Sequence, residues 1–263
     1  MRVVTWNVWW RFGGNWRERQ SRIFATLERA NADVVCLQEV WEGEGTSQAE
    51  WLATGLGMHP AFAAPSLPPT PDPPEYEDQE GIVLGVAVLS RWPVLRHHVQ
   101  LLPSRHRTAP VALVVTLDHP SGPLHVVTAC VEWETEFADD HLAQTRALAA
   151  VVASPELDGP LPVVLGADLN AGPDTELVQP LTEVMTDAWV AAGALGGGVT
   201  LSSQNPFAPL EAVKQIDQRI DYVLVRHGHW GQPVEVTHAE LAGNHPVAPA
   251  SSDHYAVVAD LEL

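Results

Sequence analysis

Lysine is nearly missing from this chain. Lys214 is the only one, and lysine and arginine together number 14 against 33 acidic residues, a formal net charge of -19. So little positive charge leaves few of the phosphate-contacting groups on which sequence-independent binding to long nucleic acids depends. Cysteine is also scarce. Cys36 and Cys130 cannot build a disulfide framework, and both stand inside apolar runs. No apolar stretch is long enough to span a bilayer, and Met1-Arg-Val-Val-Thr-Trp6 reads as a strand rather than a leader. These scarcities predict a cytoplasmic protein without a membrane span and leave its oligomeric state open.

What is present predicts a large core. The 263 residues are 46% apolar, with no repeat and no linker to divide them, so residues 1–263 are expected to form a single domain. Short β-branched runs predict strands over 2–8, 33–38, 82–90, 111–118, 123–132, 162–167, 220–225 and 255–262. Ile23, Leu27 and Ala30 share one helical face, which predicts a helix from Trp16 to Ala30, with Asn15 and Glu18 set for a capping box. A second helix is expected from Phe137 to Ala153. Segment 65–80 is crowded with proline and acid and predicts a long irregular loop. Segment 193–212 predicts another.

Polar residues punctuate the ends of these runs. Asp168 and Asn170 follow Leu161-Pro-Val-Val-Leu165, and Asp253 and His254 precede Tyr255-Ala-Val-Val-Ala-Asp-Leu261. Strand ends are held rigidly by a sheet, and binding groups are commonly built there. Asp168 and Asn170, two apart, fall on one face of an extended segment, although Asn170-Ala-Gly-Pro-Asp174 also has the composition of an Asx turn. Glu39 ends the run Val34-Val-Cys-Leu-Gln38 and reads either as a solvated strand end or as an oxygen ligand for a hard cation. Asn7 at the end of the first strand reads equally as a turn residue.

Taken in chain order, Thr5-Trp6-Asn7, Leu37-Gln38-Glu39, Gly85 to Pro93, Thr128-Ala-Cys130, Gly166-Ala-Asp168-Leu-Asn170, Arg219-Ile-Asp221-Tyr and Ser252-Asp253-His254 resemble the endonuclease/exonuclease/phosphatase superfamily. The likeness runs from Thr5 to His254. It implies an α/β four-layer sandwich, two central mixed β-sheets flanked by helices, and a metal-dependent hydrolase of phosphoester bonds using Mg²⁺ or Mn²⁺. It implies metal ligation by Glu39, Asp253 and Asn7. It implies catalytic roles for Asp168 as water activator, for His254 oriented by Asp221, and for Asn170 and Asn7 as phosphate contacts.

Cys130 departs from the superfamily pattern, which has a histidine or tyrosine that grips the phosphate at that point. A thiol is a poor donor there. His125 is expected on the opposite face of the strand, whereas His141 could reach the site. Ten tryptophans are present, and Trp9, Trp10, Trp41 and Trp133 lie close to motif positions. They predict an aromatic-lined site mouth, with Cys130, Trp9 and Trp133 as substrate contacts. With the net acidity, this favours a small or lipid-like phosphoester and disfavours nucleic acid. A nuclease is the alternative within the same chemistry, and a binding domain that has lost catalysis is the alternative outside it.

Overall fold

The computed structural model describes residues 1–212, 215–228, 234–244 and 249–263, so Lys214 lies outside the described residues. Two mixed sheets pack face to face between outer helices. The first combines β1 (Arg2–Asn7), β2 (Val34–Gly43), β3 (Thr46–Ser47), β4 (His59–Ala63), β5 (Val83–Ser90), β12 (Glu235–Ala242) and β13 (Ala256–Glu262), in the order β12-β13-β1-β2-β5-β4 with β3 paired to β2. The second combines β6 (Val94–Leu101), β7 (Val111–His119), β8 (Gly122–Cys130), β9 (Val163–Asp168), β10 (Thr186–Asp187) and β11 (Asp221–Arg226), in the order β10-β11-β9-β8-β7-β6. Helices α1 (Trp16–Ala30) and α2 (Gln48–Leu56) cover the first sheet through Ile23, Leu27, Leu52 and Ala53, while α3 (Ala138–Val152) covers the second through Leu148 and Val152. This is the four-layer α/β sandwich. Among the described residues, no helix is long and apolar enough to cross a membrane.

The core between the sheets is aliphatic. Val3, Val34, Val86 and Val88 of the first sheet meet Leu113, Val115, Val126 and Val164 of the second. At Gly166 the sheets come so close that a Cβ would collide with Cys36 and crowd Thr5, so glycine is required there. The gap also holds one polar bridge. Gln38 Nε2 donates to Thr128 Oγ1 at 2.9 Å, Thr5 Oγ1 at 3.1 Å and the Gly166 carbonyl at 3.2 Å, tying strand ends of one sheet to the other.

Several local expectations need correction. Asn15 precedes α1 but makes no side-chain cap; the reciprocal capping box forms instead at α2, between Ser47 and Glu50. Segment 65–80 is irregular except for a 3-10 turn at Glu77–Gln79, and it is tied down. Asp78 accepts from Trp16 Nε1 at 2.6 Å and Arg17 Nη1 at 2.7 Å, and its carbonyl accepts from Arg11.

Candidate active site

The row of polar residues begins with strand register. Cys130, Asp168 and Asp221 lie side by side across β8, β9 and β11, while Asn7 is paired with Gln38 across β1 and β2. Next to Gln38 the pairing of β2 with β5 slips between Leu37 and Val40, and Glu39 takes a left-handed backbone with φ 53°. Such a bulge re-aims a side chain at the rim of a sheet. Trp9, Trp10 and Asn170 also have positive φ, at 59°, 26° and 47°. Backbone strain of this kind survives only where surroundings over-determine it, and four of the seven such residues among those described, Trp9, Trp10, Glu39 and Asn170, lie at this rim.

Asn7 is the hinge of the arrangement. Its Nδ2 donates to Glu39 Oε1 at 2.8 Å and to Asp168 Oδ2 at 2.9 Å, while its Oδ1 accepts from the Trp9 amide. Ser252 Oγ donates to the Asn7 carbonyl at 2.7 Å and also reaches Asp253, which joins the last motif to the first. Asp168 Oδ1 accepts the Asn170 amide at 3.0 Å, an Asx turn that starts at Asp168; Asn170 is left-handed at φ 47° rather than extended, and it lines the cavity. Asp221 Oδ2 lies 2.9 Å from His254 Nδ1, and Thr200 Oγ1 accepts the backbone amides of Ile220 and Asp221. Thr200 carries no sequence signal, since a buried hydroxyl has no distinctive spacing, and Ser252 stands in the last motif without a role that its spacing reveals.

Electrostatics follow from burial. Desolvation pushes the Glu39 carboxyl up to about 8, with Asp253 repelling its charge and the Asn7 amide opposing the rise. Asp168 is pushed up to about 7 by desolvation and by Asp221. Asp253 is likewise raised, chiefly by burial. Burial works against the His254 imidazolium, but Asp221, Asp253 and Asp168 outweigh it and hold its pKa well above the ordinary value. Negative charge is therefore in excess, and Glu39 Oε2 and Asp221 Oδ1 are buried without a hydrogen-bond partner. Unsatisfied hard oxygens among crowded carboxylates fit a divalent cation. Ligand atoms of Asp168, Asp221 and His254 also lie within 4.8 Å of one another, as do those of His106, Asp139 and Asp140. In the second group Asp140 Oδ2 already accepts from Ser104, Arg105 and His106.

Above these groups opens a cavity of about 580 Å³, floored by Glu39, Asp168, Asn170, Asp253 and His254 and walled by Trp9, Phe12 and Trp133. Trp9 packs on Phe207 with ring centroids 5.1 Å apart, and the Arg107 guanidinium covers Trp133 at 4.4 Å from its ring. Trp10 and Trp41 are not at the mouth. They are buried with Trp16, Ile82 and Leu84: the loop after β1 turns Trp10 inward, and Trp41 stands on β2. Cys130 is 1% exposed and lies beneath the floor, 3.8 Å from Asp168 Oδ2 and 3.7 Å from Asn170 Nδ2, so its thiol touches the site residues rather than the cavity. His141 is buried too, with Nε2 2.9 Å from the Leu169 carbonyl, and does not replace it. His125 faces away, toward Thr116.

The model of the Endonuclease/Exonuclease/phosphatase family matches residues 4–254. No protein of curated function matches by sequence. Among solved structures, humanized D. rerio TDP2 superposes with a TM-score of 0.77 at 17% identity, covering 100% of this chain and 99% of that one. D. rerio TDP2 complexed with single strand DNA product gives 0.76 at 16%, with coverage of 100% and 99%. An endonuclease/exonuclease/phosphatase from Beutenbergia cavernae gives 0.75 at 24%, with coverage of 100% and 71%. The preference for a small phosphoester over nucleic acid is corrected here, since a protein of this fold holds a DNA strand. Net charge sums the whole surface and does not decide what a single cleft admits; Asp78, in the acidic loop, is already paired with Arg17 and Trp16.

Proposed function

The chain belongs to the endonuclease/exonuclease/phosphatase family and is a metal-dependent hydrolase of phosphoester bonds; we propose that it is a phosphodiesterase acting on nucleic acid, at a single-stranded segment or strand end. The observation that carries this reading is the Asn7 amide joining Glu39 to Asp168 on the floor of a cavity walled by Trp9 and Trp133. Aromatic faces stack on any base, so they grip a strand without reading its sequence. A cavity of about 580 Å³ suits one or two unstacked nucleotides rather than the breadth of a duplex.

Glu39 and Asp253, with Asn7, would hold Mg²⁺ or Mn²⁺, and the bound ion supplies Lewis-acid polarisation of the phosphoryl group. Asp168, whose pKa sits near neutrality and whose Oδ2 is oriented by Asn7, accepts the proton of the attacking water. His254, kept protonated by Asp221, donates to a phosphate oxygen as charge accumulates on it, and Asn170 contacts a second. Water attacks phosphorus, the P–O bond to the leaving strand breaks, and the leaving oxygen takes up a proton from solvent.

The test is incubation of a labelled single-stranded DNA oligonucleotide with the protein and millimolar Mg²⁺ or Mn²⁺. Divalent-dependent shortening is expected, and it is lost on chelation and in Glu39→Ala. If the strand stays intact while a small diester such as bis(p-nitrophenyl) phosphate turns over, the substrate reading fails.

A further inference from the structure

Arg19 lies on the buried stripe of α1, between Trp16 and Ile23, and only 1% of it is exposed. A guanidinium in that position needs partners, and this one takes backbone carbonyls. Nη2 donates to Phe12 at 2.8 Å and to Trp9 and Trp10 at 3.0 Å, and Nη1 donates to Val8 at 3.1 Å and Ser251 at 3.3 Å. Four of these carbonyls belong to the loop after β1, and the fifth belongs to the segment that carries Ser252, Asp253 and His254. The same guanidinium lies 4.6 Å from the Trp9 ring, whose other neighbour is Phe207 on the far loop.

We infer that Arg19 is the positioning residue of the site: one guanidinium fixes the Trp9 wall and the Asp253 segment relative to each other. This rests on the proposed metal site only for its Mg²⁺ readout. Two observations carry the inference. The loop it grips contains two left-handed non-glycine residues, Trp9 and Trp10, a shape the chain does not adopt without outside support. No carboxylate among the described residues pairs directly with Arg19, and the acids whose charge favours its protonation are Asp253 and Glu39, both on the cavity floor. It therefore supplies fixed positive charge behind carboxylates that otherwise repel each other.

Lysine keeps the charge but not the planar fork, so Arg19→Lys separates the two contributions. Hydrogen exchange of this variant should show residues 8–12 and 251–255 exchanging at least tenfold faster, with β5 and β8 unchanged. Calorimetry should show Mg²⁺ affinity reduced about tenfold, and Arg19→Gln, which loses the fork but also removes a charge that repels the ion, should lose less. A merely structural role predicts a lower melting temperature with unchanged Mg²⁺ affinity and exchange confined to α1, and that result overturns the proposal. If wild-type protein binds no divalent ion, the reading of the site falls, and the exchange data alone still decide the role of Arg19. If neither variant folds, the wild type decides: segments 8–12 and 251–255 should share one opening rate, and separate rates overturn the proposal.

Discussion

Asp221 and His254, 33 residues apart in the chain, meet through a buried contact of 2.9 Å between Oδ2 and Nδ1. The pair fixes the imidazole's orientation and keeps it charged, while β11 and the segment before β13 supply the two halves from different sheets.

Replacing Asp221 by Asn keeps the shape and removes the charge. Turnover of the oligonucleotide is expected to fall by about 10²- to 10⁴-fold, the range for a positioned proton donor. Stabilisation by Mg²⁺, measured as a melting-temperature shift, should persist, because Glu39 and Asp253 remain. Loss of that shift together with activity would place Asp221 among the ion's ligands instead.

Glu39→Gln should make the metal-free protein more stable. The wild-type carboxyl is buried, repelled by Asp253 and left with an unpartnered oxygen. Its folded pKa of about 8 exceeds the ordinary value of 4.5, so the fold favours its protonated form. The metal-free wild type therefore loses stability as pH rises from about 5 to 8, and the Gln variant should lose less. A gain of about 1–2 kcal/mol at pH 8 corresponds to a few degrees in melting temperature. Addition of Mg²⁺ should reverse the ranking, and differential scanning fluorimetry with and without the ion reads both effects.

His141 predicts an acid limb unrelated to the site's carboxylates. Burial lowers its pKa to about 4 from 6.5, against a partial counter-effect of the Leu169 carbonyl. The unfolded chain thus binds a proton that the fold refuses. Stability is undiminished above about 6.5 and falls as pH drops toward 4, by up to about 3 kcal/mol. His141→Gln should flatten denaturant midpoints across that window, and an unchanged slope would assign the acid loss to other groups.

Trp133→Ala should raise KM for a single-stranded oligonucleotide more than it lowers kcat. A base stacked on an aromatic ring contributes about 1–3 kcal/mol, so an increase of roughly 5- to 100-fold is expected. An abasic single-stranded oligonucleotide, which has no base to stack, serves as the control.

Much of the fold was legible because burial writes a period into the sequence. Helix α1 starts and stops where the spacing of Ile23, Leu27 and Ala30 put it, and the strands that pack in the interior coincide with apolar runs. Strands β3, β4, β6, β10 and β12 escaped. β3 and β10 are two residues long, and β4, β6 and β12 are edge strands with mostly exposed or half-exposed residues, so they have no apolar run to read. Helix α2 is short, so its nine residues carry little periodicity, and Ser47 and Glu50 are the signal that marks its start.

The sequence by itself determined which polar residues stand at strand ends, because an apolar run that stops at a polar group reveals its own boundary. Only the tertiary structure decided what those residues face. The bulge at Glu39 turns its carboxylate toward Asn7, and the register of β8, β9 and β11 sets Cys130 beside Asp168. The turn after β1 sends Trp9 to the cavity and Trp10 into the core. Adjacent residues can be parted in this way because orientation depends on backbone dihedrals that distant partners enforce. Arg19 shows the same rule from the other side: it is a charge in an apolar stripe with four carbonyl partners nearby in the chain, and the fifth, at Ser251, reaches it only once the chain has closed on itself.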